Sequence, residues 1–349
     1  MSTNSNDTIT IKDIARLCGV GVSTVSRAIN DHQDINPETK ALILETIKKY
    51  GYVPNNSARN LKRVDAATIA ILVKGIANPF FTNMIRVIED EAQKRKYSVE
   101  LRHVEYEEDE TDIALELVKE KRLRGIIFLG GFFANSAPKL SMLNIPFVII
   151  SGGCIPESLD KQNYSSYNVD DVEEAYKVTK FLIDYGHRDI AILAGEKDSI
   201  SVGQLRIDGY KRALKEAKIP IRDNYILHMK DEIEYYSFAN GYENMRSLLK
   251  SGVPVTAVFA ISDVLAIGAC RAIKDAGLRV PEDISVVGFD GIDLGRYSNP
   301  SLTTLKQPAA EIADASSELL FDLIEGRKQN QHRVYEGELV IRESVCLRK

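Results

Sequence analysis

From residue 68 onward, short apolar runs alternate with longer amphipathic stretches, a rhythm that leaves few folds open. Runs suited to buried strands occupy residues 68–73, 99–104, 125–129 and 147–151, with helical periodicity over 79–96, 110–121 and 136–143 between them. The pattern then restarts. Strands are expected at 190–194, 225–229, 257–261 and 284–288, and helices at 172–185, 202–217, 237–250 and 264–276. Strands that alternate with helices build parallel sheets covered on both faces. Two successive sets predict two similar lobes, with ligands favouring the cleft outside the carboxyl ends of the strands. A chain of 349 residues is long enough for two or three such compact units.

Residues 10–63 follow a different period. Ile11, Ile14, Ala15 and Leu17 fall on one helical face; after Gly19 and Gly21, a second stretch can turn Val25, Ala28 and Ile29 inward. Val22, Ser23, Ser26 and Arg27 then share the opposite side. Two short helices joined by a glycine-containing turn form a helix-turn-helix, whose second helix fits the DNA major groove. A third helix has clear punctuation: Asn36 as cap, Pro37 at its first position, Leu42, Ile43, Ile47 and Tyr50 as apolar face, and Gly51 as stop. Taken alone, Arg27 reads more readily as a solvated side chain than as a base reader, and Leu61 as a core residue. Context favours another role for Leu61. It lies among Arg59, Lys62 and Arg63 in a helical stretch too short to be stable alone. DNA would complete such a helix.

The helix-turn-helix, TVSRAIN at 24–30, GYVPN at 51–55 and SARNLK at 57–62, in this order, closely resemble the LacI/GalR transcriptional regulators, and the resemblance spans the chain. It implies an all-α helix-turn-helix head with a hinge helix, followed by an α/β two-lobed periplasmic-binding-protein-like domain. The head would span residues 1–54, the hinge helix and linker 55–66, and the effector-binding and dimerisation domain 67–349. Lobe one is expected at about 67–168 plus 299–328, and lobe two at about 169–298 plus 329–349. By the same resemblance, the stretch 312–323 returns to the first lobe and a final strand near 334–341 to the second. That makes three crossovers and a hinged clamshell.

The resemblance also carries roles. Val22, Ser23, Thr24, Ser26, Arg27 and Asn30 would face DNA from the recognition helix. Asn55, Ala58, Arg59, Leu61 and Lys62 would do so from the hinge, with Leu61 wedged in the minor groove. Asn78, Phe80 and Phe81 would line the effector cleft, although paired aromatics could equally be core. Arg206, in Arg-x-x-Gly-Tyr with Gly209, can donate two parallel hydrogen bonds to neighbouring hydroxyls, or form a surface ion pair. Asp290 follows the strand at 284–288 and would accept from vicinal hydroxyls or cap a turn. Ser262 and Asp263 follow another strand, where Asp263 can serve as a cap; Tyr236 resembles the family's stacking aromatic. Two positions depart from the pattern. Gly21 replaces a common serine, removing one phosphate-facing hydroxyl, and Ser262 stands where Asn or Thr is frequent.

The expected partners are a pseudo-palindromic double-stranded operator, a sugar or sugar phosphate, and a second copy of the chain. No leucine heptads close the sequence, which favours a dimer over a coiled-coil tetramer. Charge agrees with local DNA contact. Residues 1–63 hold nine Lys/Arg against six Asp/Glu, in a chain of net charge −5. Cys18, Cys154, Cys270 and Cys346 are scattered, so free thiols, no metal and no cofactor are expected. Residues 1–8 are polar, without a basic leader, and no apolar run reaches about 18 residues, so a cytoplasmic protein away from membranes is expected.

Two rivals fare worse. An exported solute-binding protein would share the clamshell but not residues 10–63. A nucleotide-using α/β enzyme would need a glycine fingerprint; Gly19-x-Gly21 follows a helix, and Gly130-Gly131 lacks the remaining glycines. None of His32, His103, His187, His228 and His332 has the spacing of a triad, and His187 reads as structural in a helix-to-strand turn.

Overall fold

The computed structural model describes residues 9–29, 35–52, 67–195 and 201–348. The chain divides into two compact units, Met1–Ala66 and Ala67–Lys349. Asn30 and the expected hinge residues Asn55, Ala58, Arg59, Leu61 and Lys62 lie outside the described residues.

The first unit holds three helices: α1 (Ile11–Leu17), α2 (Val22–Ile29) and α3 (Pro37–Tyr50). Thr10 and Asp13 cap α1 reciprocally: the Asp13 amide donates to Thr10 Oγ1 at 3.4 Å, and the Thr10 amide to Asp13 Oδ2 at 3.1 Å. Gly19, at φ 68°, makes the turn that leads into α2. Asn36 Oδ1 accepts from the amides of Glu38 and Thr39, and Gly51 ends α3 in the left-handed region. Ile14, Ala15, Val25, Ala28, Ile43 and Tyr52 are the buried centre. Leu17, Leu42 and Tyr50, expected on apolar faces, are instead 48%, 49% and 47% exposed. Three helices this short enclose only the inner edge of each apolar stripe, and the outer edge stays in water.

The second unit contains two six-stranded sheets. In chain order the strands are β1 (Thr68–Lys74), β2 (Ser98–Val104), β3 (Leu123–Leu129), β4 (Phe147–Ile150), β5 (Ser165–Val169), β6 (Ile190–Leu193), β7 (Ile226–Leu227), β8 (Ala257–Ala260), β9 (Ser285–Asp290), β10 (Thr303–Lys306), β11 (His332–Tyr335) and β12 (Glu338–Val340). The first sheet runs β11-β5-β4-β3-β1-β2 and is parallel throughout. The second runs β12-β10-β9-β8-β6-β7, with β12 alone antiparallel. Along β1 the two faces separate cleanly. Ile69, Ile71 and Val73 pack toward Met84 and Leu320, while Ala70 and Leu72 join Ile113 and Leu117 in a second cluster. Both faces are therefore buried, as parallel sheets require.

Several expected elements shift. The strand expected at 225–229 shortens to β7, and β2 is an edge strand with Leu101 44% exposed. The single strand expected at 334–341 divides into β11 and β12. Lobe membership changes as well. β10 pairs with β9, Thr303 opposite Val287, so residues 299–306 belong to the second lobe rather than the first. β11 pairs with β5, His332 opposite Ser166, and belongs to the first lobe rather than the second. The helix Ala309–Ile324 does return to the first lobe, lying on the helix Phe80–Lys94 and on β3 and β4. Which sheet receives a short strand depends on which edge has unpaired backbone groups, and runs such as His-Arg-Val-Tyr carry no mark of their partner. The chain thus passes between lobes after β5, after β10 and after β11.

Candidate DNA-reading head and ligand cleft

On the head, α2 exposes Val22, Ser23 and Arg27, while Thr24 and Ser26 are half-buried. Ser23 and Arg27, one turn apart, offer a hydroxyl and a long donor on one face. At Gly21 an added Cβ would meet only ordinary contacts, Ser23 Oγ at 3.5 Å being the nearest, so backbone sterics do not require glycine there.

The cleft lies where topology predicts. Omitting the last strand of each sheet, both show the order 2-1-3-4-5, whose switch point falls beside the first strand. A cavity of about 550 Å³, part of it open to solvent, occupies the carboxyl ends of both sheets. Lys74 ends β1; Asn78, Phe80 and Phe81 follow it. Gly130 and Gly131 after β3, and Ser151 after β4, complete the first-lobe wall with Tyr106 and Phe132. The second lobe supplies Arg206, Tyr236 and Asp290, and Gln307 enters from the second crossing. Gly130 and Gly131 have φ values of 73° and 117°. A Cβ on Gly130 would press on the Lys74 carbonyl at 2.9 Å, and one on Gly131 on Glu110 Oε1 at 2.6 Å. These glycines let the β3 loop lie against the Lys74–Glu110 pair.

Charge inside the cleft is matched. Arg206 is buried, its Nε 2.8 Å from Asp171 Oδ1 and its Nη1 3.9 Å from Asp290 Oδ1, with the Phe289 ring 3.7 Å from its guanidinium carbon. It is no surface ion pair. Asp290 also accepts from Asn78 Nδ2 and Gln307 Nε2, both at 2.9 Å, and the Asn78 bond joins the two lobes. Burial pushes the Asp290 carboxyl up to about 6, against the pull of Arg206, Asn78 and Gln307. Burial likewise raises Asp171, opposed by Arg206. Lys74 Nζ lies 2.9 Å from Glu110 Oε2 and 2.7 Å from the Glu108 carbonyl, with the Phe132 ring centre at 4.9 Å. Tyr106 of the first lobe meets Tyr235 of the second, ring centres 4.0 Å apart. By contrast, three neutral polar atoms in this wall are buried without a partner: Tyr106 Oη, Ser151 Oγ and Gln307 Oε1. A group left unpaired in this way costs free energy unless something supplies its hydrogen bond.

Six expected effector residues, Asn78, Phe80, Phe81, Arg206, Tyr236 and Asp290, line this one cavity. Phe80 and Phe81 also serve the core, meeting edge to face at 5.2 Å. Ser262 and Asp263 are not among the lining residues. Ser262 caps the helix Asp263–Asp275 through the Leu265 amide. Asp263 turns to β10, accepting from Thr304 Oγ1 at 2.6 Å and from the Ile292 amide at 2.7 Å. Burial, with Asp290 adding to it, pushes Asp263 up to about 8. Lys74, Tyr106, Phe132, Ser151 and Gln307 escaped the sequence reading; each follows or ends a strand, a position they share with many ordinary loop residues. His187 is structural as expected: its ring nitrogens meet Thr256 Oγ1 and the Cys346 carbonyl.

Residues 10–55 match the bacterial regulatory proteins of the lacI family, and residues 179–345 match the periplasmic binding protein-like domain. The chain is 44% identical over 338 residues to the HTH-type transcriptional regulator MalR of Clostridium butyricum, covering 96% of this chain and 98% of that one. Among solved structures, the transcriptional regulator CelR–cellobiose complex is 28% identical with a TM-score of 0.69, covering 96% of this chain and 99% of the other. A LacI family regulator from Enterococcus faecium with bound ribose is 29% identical with a TM-score of 0.68, covering 81% and 100%. No helix among the described residues is long and apolar enough to cross a membrane.

Proposed function

Because the chain belongs to the lacI family of bacterial regulatory proteins, we propose that it is an operator-binding transcriptional repressor controlled by a sugar or sugar phosphate in the cleft between its lobes. The three unpartnered polar atoms Tyr106 Oη, Ser151 Oγ and Gln307 Oε1 carry the effector half of this reading. They converge on one cavity walled by aromatic rings, the mixture that suits a molecule with hydroxyl edges and apolar faces. Bound cellobiose and ribose in two related structures support the same class.

Val22, Ser23, Thr24, Ser26, Arg27 and Asn30 read the major groove, and Asn55, Ala58, Arg59, Leu61 and Lys62 meet the adjacent minor groove. Two copies bind a two-fold operator in the cytoplasm. The cleft reads as a binding site: among its described residues the ionised side chains hold one another, and the groups left for a ligand are neutral. Asn78 and Asp290 join the lobes at the cavity, so a ligand there biases the angle between them.

Fluorescence anisotropy with operators selected from random DNA tests this. One family of two-fold sites should emerge, and at least one sugar or sugar phosphate should change its affinity. Selection of no sequence would remove the operator reading; indifference to the whole sugar panel would remove the effector reading.

A further inference from the structure

We infer that this cleft selects uncharged sugars and rejects their phosphate esters, with Glu110 as a residue that sets the preference. The inference rests on reading the cleft as a sugar site. A phosphate site needs a cation with donors to spare. Among the described lining residues only Lys74 and Arg206 are cationic, and both are committed. Lys74 is held by Glu110 at 2.9 Å and by the Glu108 carbonyl, and screened by the Phe132 ring. Arg206 is held by Asp171 and faces Asp290. With Glu110 and Asp171 counted, the two cations meet three carboxylates. Counted over the described residues, the pocket that a dianion would enter is already negative.

The approach repeats this. The opening that shares Gly75 and Tyr106 with the cavity is lined by Glu105, Glu107, Asp231, Glu232 and Glu234, with His103 as the basic residue among its described lining. A second opening, which shares Phe80, Asp290 and Gln307 with the cavity, sets Arg86 and Lys306 with Asp290, Asp293 and Glu311. Neither opening has an excess of positive charge among its described lining. The unmet atoms of Tyr106, Ser151 and Gln307 are a matching set for hydroxyls: two hydroxyl oxygens and one amide carbonyl.

Glu110 contacts the cavity only through others. Its Oε2 holds Lys74 and its Oε1 accepts the Phe132 amide, so it positions the wall while cancelling the charge. Glu110→Gln keeps an acceptor for that amide and frees the lysine charge.

Calorimetry should use matched pairs: ribose and ribose 5-phosphate, glucose and glucose 6-phosphate, cellobiose and cellobiose 6-phosphate, maltose and maltose 6-phosphate. In the wild-type protein at least one neutral member should bind, with its ester at least about 100-fold weaker, since like-charge placement in a buried site costs several kcal/mol. In Glu110→Gln the gap should narrow by about 10-fold or more, with the neutral sugar little changed. An ester that binds as well as its parent sugar overturns the inference and leaves the sugar reading intact. An unchanged gap in a folded Glu110→Gln overturns the role of Glu110. Absence of binding by either member of every pair removes the sugar reading itself, and this inference with it. Should the variant not fold, the wild-type pairs decide the selectivity alone.

Discussion

Removing the charge of Arg206 should damage the protein in a way that depends on pH. The side chain is 4% exposed and holds Asp171, 2.8 Å away, while Asp290 stands 3.9 Å off. Arg206→Met keeps much of the aliphatic stem but loses the guanidinium that lies over Phe289 and strands two buried carboxylates. Breaking a buried ion pair by deleting one partner costs about 3–5 kcal/mol, mostly from the charge left behind. The stranded carboxylates then take up protons. Burial already holds both above the ordinary range, Asp290 at about 6, and loss of the cation raises them further. An acid whose folded pKa exceeds its unfolded one contributes stability at low pH that is lost as pH rises through the folded value. The deficit of Arg206→Met should therefore shrink from about pH 7.5 to about pH 5, by at most about 1.4 kcal/mol per pH unit for each carboxylate. Arg206→Met with Asp171→Asn removes one stranded charge and should recover about half the deficit at the higher pH. Urea unfolding of the wild type and both variants at the two pH values measures this. A deficit that is the same at both would refute proton uptake by the stranded carboxylates, and one below about 1 kcal/mol would show that deleting Arg206 strands no costly charge.

Two further outcomes are expected. Asp263, pushed up to about 8 by burial, is mostly protonated at neutral pH, so the wild type should lose about 1.4 kcal/mol more than Asp263→Asn between about pH 7 and pH 9; parallel unfolding profiles would place its titration elsewhere. Arg27→Ala should cost about 1–3 kcal/mol of discrimination at one base pair in each half-site. Titration against single-base operator variants checks it, and equal weakening on every sequence would reduce Arg27 to a phosphate contact.

The strand–helix rhythm made most of both sheets legible because most buried parallel strands are continuous apolar runs, as in Ile69 to Val73; β5, Ser-Ser-Tyr-Asn-Val, is not, and escaped it. The crossings were not legible. β10 and β11 are four residues each, at least half of them polar, and only the sheet edge that accepts them decides their lobe. In the cleft, Asp290 stood out as a charge just beyond an apolar run and Arg206 by its Arg-x-x-Gly-Tyr setting. Tyr106 and Gln307 did not, since a neutral polar residue in a loop is ordinary until its surroundings are known to leave it unpaired. Asp263 shows the opposite error. It too follows a strand, yet its carboxylate is consumed by Thr304 and Ile292, contacts that pair residues about 30 to 40 positions apart.

The return of Ala309–Ile324 to the first lobe bears on how a ribosome produces this chain. β1, β3, β4 and β5 are complete by Val169, but the helix that covers Ile69, Ile127 and Val148 emerges about 140 residues later. At roughly 5–20 residues per second, that face waits on the order of 10–30 s for its cover. The second lobe, though begun later, has all its parallel strands by Lys306. The first-made lobe should therefore close only after most of the second has been made, although the last strand, β12, belongs to the second. A nascent chain halted near residue 306 would offer its apolar sheet to a chaperone, and one released at full length would not.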